Sequence, residues 1–436
     1  MTDLTERSAR KRSRGAIIPI VILLLFPCSL LPGEPPQKIT KTLQGITFDS
    51  NYDNGSLKNV EETAPDAFDC EIYWEPGDLG AAGYWFRFRM NGMAGRKITL
   101  AIDHKNNPRP VVRKEQGTWR RMTDPEAPST SRLELDFNAD ENEAEIAFFF
   151  PAGVGETQDR VNQYVRRCDV ATSEVIGRSF QGRDIWMVTV TDPLVPDTLK
   201  HRVWMHARVH AGEVTSTLSM LGFLDLATED SLLGAHLRRH IIFHVVPIVN
   251  IDGVSLGHTR WDSQGIDPER EWRKTAQTPP GQMTPETACM KVKVDQFMAG
   301  DRPIEVALNM HSTKGNYKDT FFWKHVFPSV THAFEEIEQN YIDALDHATP
   351  LFDHLSKLTS QLDEAKYIES YFWRNWGEAV MAMTHEGHFY RRITDDEWIT
   401  ADDYHELGRA MALALIEYLD LPRIPQEYEK LFWMIY

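Results

Sequence analysis

Cysteine is scarce in this chain: four residues in 436, at positions 28, 70, 168 and 289. They are scattered and include no CxxC pair, so they make neither a disulfide framework nor a thiolate zinc clip, and free thiols are the expected state. Cations are short as well. Lys and Arg number 47 against 64 acidic residues, a formal net charge of -17. That balance excludes a phosphate-backbone binder, and no nucleic-acid partner is expected. Repeats and low-complexity tracts are missing. So is HExxH: "HEGH", His385 to His388, leaves less than a helical turn between its histidines. What is there, 42% hydrophobic and 25% charged, is the make-up of an ordinary globular protein long enough for two or three domains.

The apolar run "AIIPIVILLLFPCSLL", residues 16–31, is shorter than the roughly 20 residues of a membrane span and holds Pro19 and Pro27. It follows the basic "RSARKRSRG" and precedes "PGEPPQK", the order of an export signal. There is no small-x-small cleavage site and no lipobox at Cys28. A cleaved signal and an uncleaved anchor both fit. Either makes the protein exported, periplasmic or secreted, with residues 16–31 as a membrane tether in the second case. Residues 1–38 are read as this segment with its linker.

Residues 39–153 are expected to form an all-β sandwich. In "YWFRFRM", Tyr84, Phe86, Phe88 and Met90 alternate with Trp85, Arg87 and Arg89, which puts one face on a core and one in water. "KITLAI", "RLELDF" and "AEIAFFF" repeat the pattern between Gly, Pro, Asn and Asp. The texture then changes. "ETQDRVNQYVRRC" reads as a helix, "HRVWMHARV", "HIIFHVVPIVN" and "IEVALNMHS" as buried strands, and "GEAVMAMTHEGHF" as one more. Val214, Leu218, Leu221 and Leu224 follow helical spacing, and "DDYHELGRAMALALIEYLDL" is a long amphipathic helix. Residues 154–436 are therefore expected to be an α/β domain with a mixed, mostly parallel sheet flanked by helices. In such sheets sites gather at the carboxyl ends of strands, where His210, Asn250, His311 and Glu386 fall.

"VHAGEVTS", Val209 to Ser216, spaces His210 and Glu213 three apart on a turn entering a helix, with Gly212 relieving crowding at the bend. Such a pair can face one ion, and His311 supplies a third corner. Two imidazoles and a carboxylate suit a catalytic zinc, which takes three protein ligands and keeps one position open. The spacing alone also fits a loop histidine beside a glutamate that satisfies the helix dipole.

The order of the segments resembles the M14 zinc carboxypeptidases, in particular their cytosolic-carboxypeptidase-like branch. "IGRSFQGRDI" looks like the strand that opens the catalytic domain of that family, "HARVHAGEVTST" its first ligand motif, and "NMHS" its second. "VPIVNIDGVSLGHTRWDSQGID" is similar to its Asn-x-Asp-Gly segment with the arginine and Gly-x-Asp turn that follow. "AMTHEGHF" stands where the catalytic glutamate belongs. "FDSNYDNGSLKNV", "YWFRFRM" and "GTWRRM" resemble the front domain of the branch, so the likeness covers nearly all of residues 45–415.

The resemblance implies a zinc metallocarboxypeptidase acting on peptide or protein C-termini. One Zn2+ is held by His210, Glu213 and His311. Glu386 is the general base and acid, Arg260 the oxyanion donor and Arg270 the anchor of the terminal carboxylate. The active-site tyrosine is Tyr367 or Tyr371, with Tyr367 favoured. Strand alternation points His385 to the face opposite Glu386 and His388 to the same one, with packing favoured for His388 over a place in the pocket. The chain departs from the pattern at Glu269, where the family has an asparagine that also contacts the carboxylate. A glutamate there repels a carboxylate unless it is paired or turned away. Glu369 lies near a position where related deglutamylases keep a basic residue, which would disfavour acidic terminal residues and welcome basic ones. Two rivals stand beside this reading: a zinc amidase or deacylase acting on small N-acyl amino acids, and a non-catalytic binding protein that keeps the fold.

Overall fold

The computed structural model of the chain describes residues 38–77, 80, 82–102, 108–129, 131–272, 283–315, 319–352, 357–360, 366–392 and 394–422. Ten short strands come first: β1 (Thr40–Leu43), β2 (Ile46–Asp49), β3 (Asn59–Ala64), β4 (Ala67–Glu71), β5 (Arg87–Asn91), β6 (Lys97–Ile102), β7 (Val111–Lys114), β8 (Arg120–Arg121), β9 (Arg132–Asp136) and β10 (Glu143–Ala147). They form a six-stranded sheet, β1-β2-β5-β10-β7-β8, and a four-stranded one, β3-β4-β6-β9. The period of two is the inward face of β6, but in "YWFRFRM" the expected water face is buried as well: Trp85 and Arg87 are covered, Arg87 on Glu145 and Glu156, and only Arg89 is exposed. In β6, Ile98, Leu100 and Ile102 are buried while Lys97 and Ala101 are exposed.

The α/β part follows: α1 (Val154–Arg167), β11 (Ala171–Arg178), β12 (Asp184–Val190), β13 (His201–Ala207), α2 (Val214–Thr228), α3 (Leu232–His240), β14 (Ile241–Val246), α4 (Ile251–Leu256), α5 (Pro285–Met298), β15 (Val306–Ser312), β16 (Phe321–His325), α6 (His332–Ala348), β17 (Lys357–Ser360), α7 (Ile368–Trp376), β18 (Met381–Gly387) and α8 (Ala401–Tyr418). One eight-stranded sheet, β11-β12-β14-β13-β15-β18-β16-β17, runs through it. The four junctions β14–β13, β13–β15, β15–β18 and β16–β17 are parallel and the other three antiparallel. The fold is the mixed α/β fold expected, preceded by a β-rich domain.

Alternation along the central strands sorts side chains between two cores. Val203, Met205, Val306, Leu308, Met310, Met381 and Met383 join the cluster that includes residues of α2, α6 and α8. Trp204, Ala307 and Ala382 join the cluster that includes residues of α5 and α7. The second parity then runs into polar residues. Asn309 and His311 follow Ala307, Thr384 and Glu386 follow Ala382, and β15 pairs with β18 so that Asn309 neighbours Thr384 and His311 neighbours Glu386. The site is thus the carboxyl-terminal continuation of one face of the sheet.

Helix α2, which begins at the ligand turn, is buried along nearly its whole length. It meets α8 backbone to backbone. A Cβ on Gly408 would lie 1.7 Å from the Ser219 carbonyl oxygen, and one on Gly222 would lie 2.0 Å from that of His405. Only glycine fits at both positions. Cys70, Cys168 and Cys289 are free thiols; Cys70 is buried, and the other two, expected to be buried as well, are half-buried.

Candidate active site

The turn after β13 is the tightest part of the site. Arg208 takes a left-handed backbone, φ 57°, a conformation a bulky residue adopts only when its surroundings hold it there. Its guanidinium does so, donating to the carbonyls of Ala211 at 2.8 Å and Ala152 at 3.0 Å. Gly212 is required by a close approach. Its N–H donates to the Thr259 carbonyl at 2.7 Å, and a Cβ would lie 2.9 Å from that oxygen.

Glu213 immediately precedes α2 but its side chain does not cap the helix. The carboxylate turns the other way. Oε1 lies 2.7 Å from His210 Nδ1, and Oε2 lies 2.8 Å from His311 Nδ1 and accepts the Ser312 N–H at 3.0 Å. The two Nδ1 atoms are 3.2 Å apart. One ligand atom from each of the three residues lies within 4.8 Å of the other two, and all three residues are buried. The dipole-satisfying alternative is not what this glutamate does.

A second ring of carboxylates orients the imidazoles. His210 Nε2 lies 3.1 Å from Asp267 Oδ1, and Asp267 Oδ2 accepts from Arg260 Nε at 3.1 Å and Nη2 at 2.6 Å. His311 Nε2 lies 3.3 Å from Glu269 Oε2. Burial works against both imidazolium ions, yet the charges of Glu213, Asp267 and Glu269 overcome it and raise the pKa of His210 and, further, of His311. Burial likewise opposes ionisation of Glu213 and Asp267, but the imidazoles hold both carboxyls well below their ordinary range. Three buried carboxylates surround the two imidazoles. Against burial, and after the imidazoles, Arg260 and Arg270 also lower the pKa of Asp267, and Arg270 that of Glu269. The metal position between Glu213 and the imidazoles favours positive charge. A divalent cation fits that demand, and this donor set suits zinc.

Glu386 stands across from this cluster. Trp323 Nε1 donates to its Oε1 at 3.3 Å, while its buried Oε2 has no partner. Burial, then repulsion from Glu213, pushes its carboxyl up to about 7. His210, Glu213, His311, Glu386, Arg260, Arg270, Glu269 and Tyr367 all line one cleft of about 720 Å³. The Arg270 guanidinium lies 4.7 Å from the centre of the Tyr367 ring. Tyr371 is elsewhere. Its hydroxyl bonds Lys291 and Asp295 and its ring packs on Trp272 and Trp376. Tyr371 lies inside α7 and packs in the core, whereas Tyr367 precedes the helix with an extended backbone, φ -105° and ψ 160°, and so is not bound to the helix face of Tyr371 but lines the cleft. His385 faces away, against Phe322. His388 is not in the cleft, because β18 ends at Gly387 and alternation ends with it. Its backbone N–H donates to the Tyr404 hydroxyl at 2.7 Å.

Glu269 is buried and turned towards the protein, with Oε1 accepting from Asn309 Nδ2 at 3.1 Å. Asp267, Asn309, Trp323 and the front-domain Glu75 are functional candidates that sequence reasoning did not single out. Asp267 had a local signal, the Gly-x-Asp turn. The others depend on contacts between segments far apart in the chain.

A family model described as Zinc carboxypeptidase matches residues 161–373, and one described as Cytosolic carboxypeptidase N-terminal domain matches residues 48–149. The chain is 23% identical over 251 residues to Cytosolic carboxypeptidase 6 of Mus musculus, covering 52% of this chain and 46% of that protein. It thus spans about half the length of this curated relative. Among solved structures, the metallo-carboxypeptidase of Burkholderia cenocepacia superposes with a TM-score of 0.72 at 20% identity, over 86% of this chain and 99% of that one. The metallo-carboxypeptidase of Pseudomonas aeruginosa gives 0.72 at 18%, over 86% and 100%. These two likenesses concern the fold.

The expected export is corrected by these matches. The relatives carry the name cytosolic carboxypeptidase and the front domain is of the cytosolic type. The apolar segment 16–31 lies outside the described residues. Among the described residues no helix is long and apolar enough to cross a membrane.

Proposed function

This chain belongs to the zinc carboxypeptidases, with the front domain of the cytosolic branch, and from that premise we propose that it removes C-terminal residues from peptides or proteins with one zinc ion on His210, Glu213 and His311. The observation that carries the reading is the convergence of this trio, Glu386, Arg260 and Arg270 on one cleft. Bound zinc supplies a Lewis acid that polarises the scissile carbonyl and acidifies water. Glu386 takes a proton from the attacking water at its unpartnered Oε2 and returns it to the leaving nitrogen. Arg260, steadied on one edge by Asp267, faces the oxygen on which negative charge develops. Arg270 grips the terminal carboxylate, for which a planar guanidinium is suited, and Tyr367 backs it. Glu269 does not oppose that grip, since its oxygens are directed at Asn309 and His311. The division into residues 39–153 and 154–436 is part of this reading. The front-domain match argues against the amidase or deacylase, and the assembled site argues against a non-catalytic binder.

The substrate class follows from the recess beside Arg270. Glu369 Oε1 accepts from Thr384 Oγ1 at 2.5 Å and from Asn309 Nδ2 at 3.0 Å, the amide nitrogen that also serves Glu269. Glu269, which lines the same recess, adds a second carboxylate whose Oε2 meets only His311 Nε2, at 3.3 Å. His325 lines the same recess but is matched by Glu338 at 2.5 Å. A recess rich in acceptors and poor in donors suits a terminal lysine or arginine, and repels a glutamate.

The test is mass spectrometry of peptides that differ only in their last residue, incubated with the zinc-loaded protein. Loss of C-terminal residues is expected, with Lys and Arg preferred over Leu by about 30-fold or more in kcat/KM, the worth of a charged hydrogen bond. Glu369→Gln is expected to shrink that ratio severalfold. Internal cleavage would overturn the exopeptidase assignment. A preference for terminal Glu would overturn the substrate class alone.

A further inference from the structure

The β-rich front domain reaches into the α/β domain with one buried carboxylate. Glu75 lies in the segment after β4 and is 1% exposed. Oε2 accepts the backbone N–H of Thr259 at 2.9 Å, and Oε1 accepts those of Arg260 and, at 3.1 Å, of Trp261. Three consecutive N–H groups on one carboxylate fix the backbone of the segment that carries Arg260. The hold is built from both sides. Glu75 is pinned by reciprocal backbone bonds to Ala82, 2.8 and 3.0 Å, and the Thr259 hydroxyl oxygen accepts the N–H groups of Tyr84 and Trp85 at 3.0 and 3.1 Å. Gly77 sits so close to the Trp261 indole that a Cβ would lie 2.1 Å from it.

The held segment touches both halves of the chemistry. The Thr259 carbonyl accepts the Gly212 N–H in the ligand turn at 2.7 Å. The Arg260 side chain runs to Asp267 and through it to His210. Glu75 touches neither the cleft nor any proposed ligand residue. Thr259, Arg260 and Trp261 all line the cleft, and of the three Arg260 is the one whose side chain has a proposed part in the chemistry, so cutting the three bonds would act on the reaction through Arg260.

The geometry points to Glu75 as a positioning residue, through which the front domain fixes Arg260 for stabilising the developing oxyanion. The inference rests on the carboxypeptidase reading above and gives the front domain a part in the reaction. A residue that merely held the fold would lower kcat and metal content together and would act independently of Arg260. A positioning residue would lower kcat with KM little changed, and would do so only while Arg260 is present.

A double-mutant cycle decides between them. Glu75→Ala is expected to lower kcat by about 10- to 100-fold, the scale of a small misplacement at a reacting centre, with full zinc content. In an Arg260→Ala background the same change is expected to cost less than about 3-fold, because coupled residues are not additive. Glu75→Gln, which keeps an acceptor at Oε1, is expected to restore most of the loss. Additive losses in the cycle, or an unchanged kcat in Glu75→Ala, would overturn the inference. If Glu75→Ala fails to fold, the cycle is run with Glu75→Leu, which fills the same space and offers the three N–H groups no acceptor. Hydrogen exchange supplies a readout that needs no turnover: the amides of Thr259, Arg260 and Trp261 are expected to exchange faster in Glu75→Ala. Should the wild type cleave no peptide, the carboxypeptidase reading fails on its own, and unchanged exchange at these amides would separately overturn the anchoring.

Discussion

Glu386→Gln is expected to lower kcat by about 10⁴-fold, the upper end of what a positioned acid and base contributes, while KM and zinc content stay near those of the wild type. The size follows from two duties placed on one carboxyl. Its Oε1 takes the Trp323 indole N–H and its Oε2 takes nothing, so one oxygen is positioned and the other is left for a proton. Glutamine keeps the first arrangement and cannot perform the second. The pH dependence has a sign. Burial and the charge of Glu213 raise the Glu386 carboxyl to about 7, and the base form lies above that value, so kcat/KM should rise with pH along an acid limb. Neutralising Glu213 with a cation removes the repulsion and moves the limb below about 7. The limb should vanish from the residual activity of Glu386→Gln. A variant that kept a tenth or more of the wild-type kcat would remove Glu386 from its role.

The residues that could be found in the sequence share a property: their signal is local and periodic. "VALNMHS" and "VMAMTHEG" alternate, and that alternation places His311 and Glu386 on one face once the two strands lie side by side. The His210–Glu213 pair sits on a turn between a strand and a helix, and that context also was visible. Where the argument failed, periodicity had stopped. Alternation past Gly387 points His388 to the face of Glu386, but the strand ends there, and the histidine has the packing role favoured for it over a place in the pocket. Tyr367 and Tyr371 could not be separated without knowing where α7 begins: four apart, they would share a face had the helix included both, but Tyr367 is extended and precedes it. The orientation of Glu269 depends on Asn309, 40 residues away, and Trp323 reaches Glu386 across 63. Glu75 meets Thr259 across 184. No spacing rule connects such pairs; the first two depend on packing within the α/β domain and the third on contact between the front domain and it. Export was a different error. A basic stretch before an apolar run is a composition, and it was outweighed by matches to proteins of cytosolic name and front-domain type.

Glu213→Gln is expected to abolish stoichiometric zinc, with activity falling at least as far as in Glu386→Gln. Glu213 makes the two shortest contacts among the three candidate ligands, 2.7 Å to His210 and 2.8 Å to His311, and is the only one of the three that brings a negative charge. Its charge also does most to overcome the burial of the two imidazoles. An amide is a poor ligand and carries no charge, so the pair of histidines loses both a corner of the site and the reason to face a cation. The expected contrast with Asp267→Asn is quantitative. That residue touches His210 from outside at 3.1 Å, and removing its charge should weaken zinc by about 10- to 100-fold without eliminating it. Thermal melts give a second measure that does not depend on substrate. A cation bound only by the folded state stabilises it by about 4 kcal/mol at a thousandfold excess over its Kd. The wild type should therefore melt higher with zinc added, Asp267→Asn should shift less at the same concentration, and Glu213→Gln should not shift at all. A full zinc-dependent rise in Glu213→Gln would show that the ion sits elsewhere, and with it the roles given to His210, His311 and Glu386 would have to be reassigned.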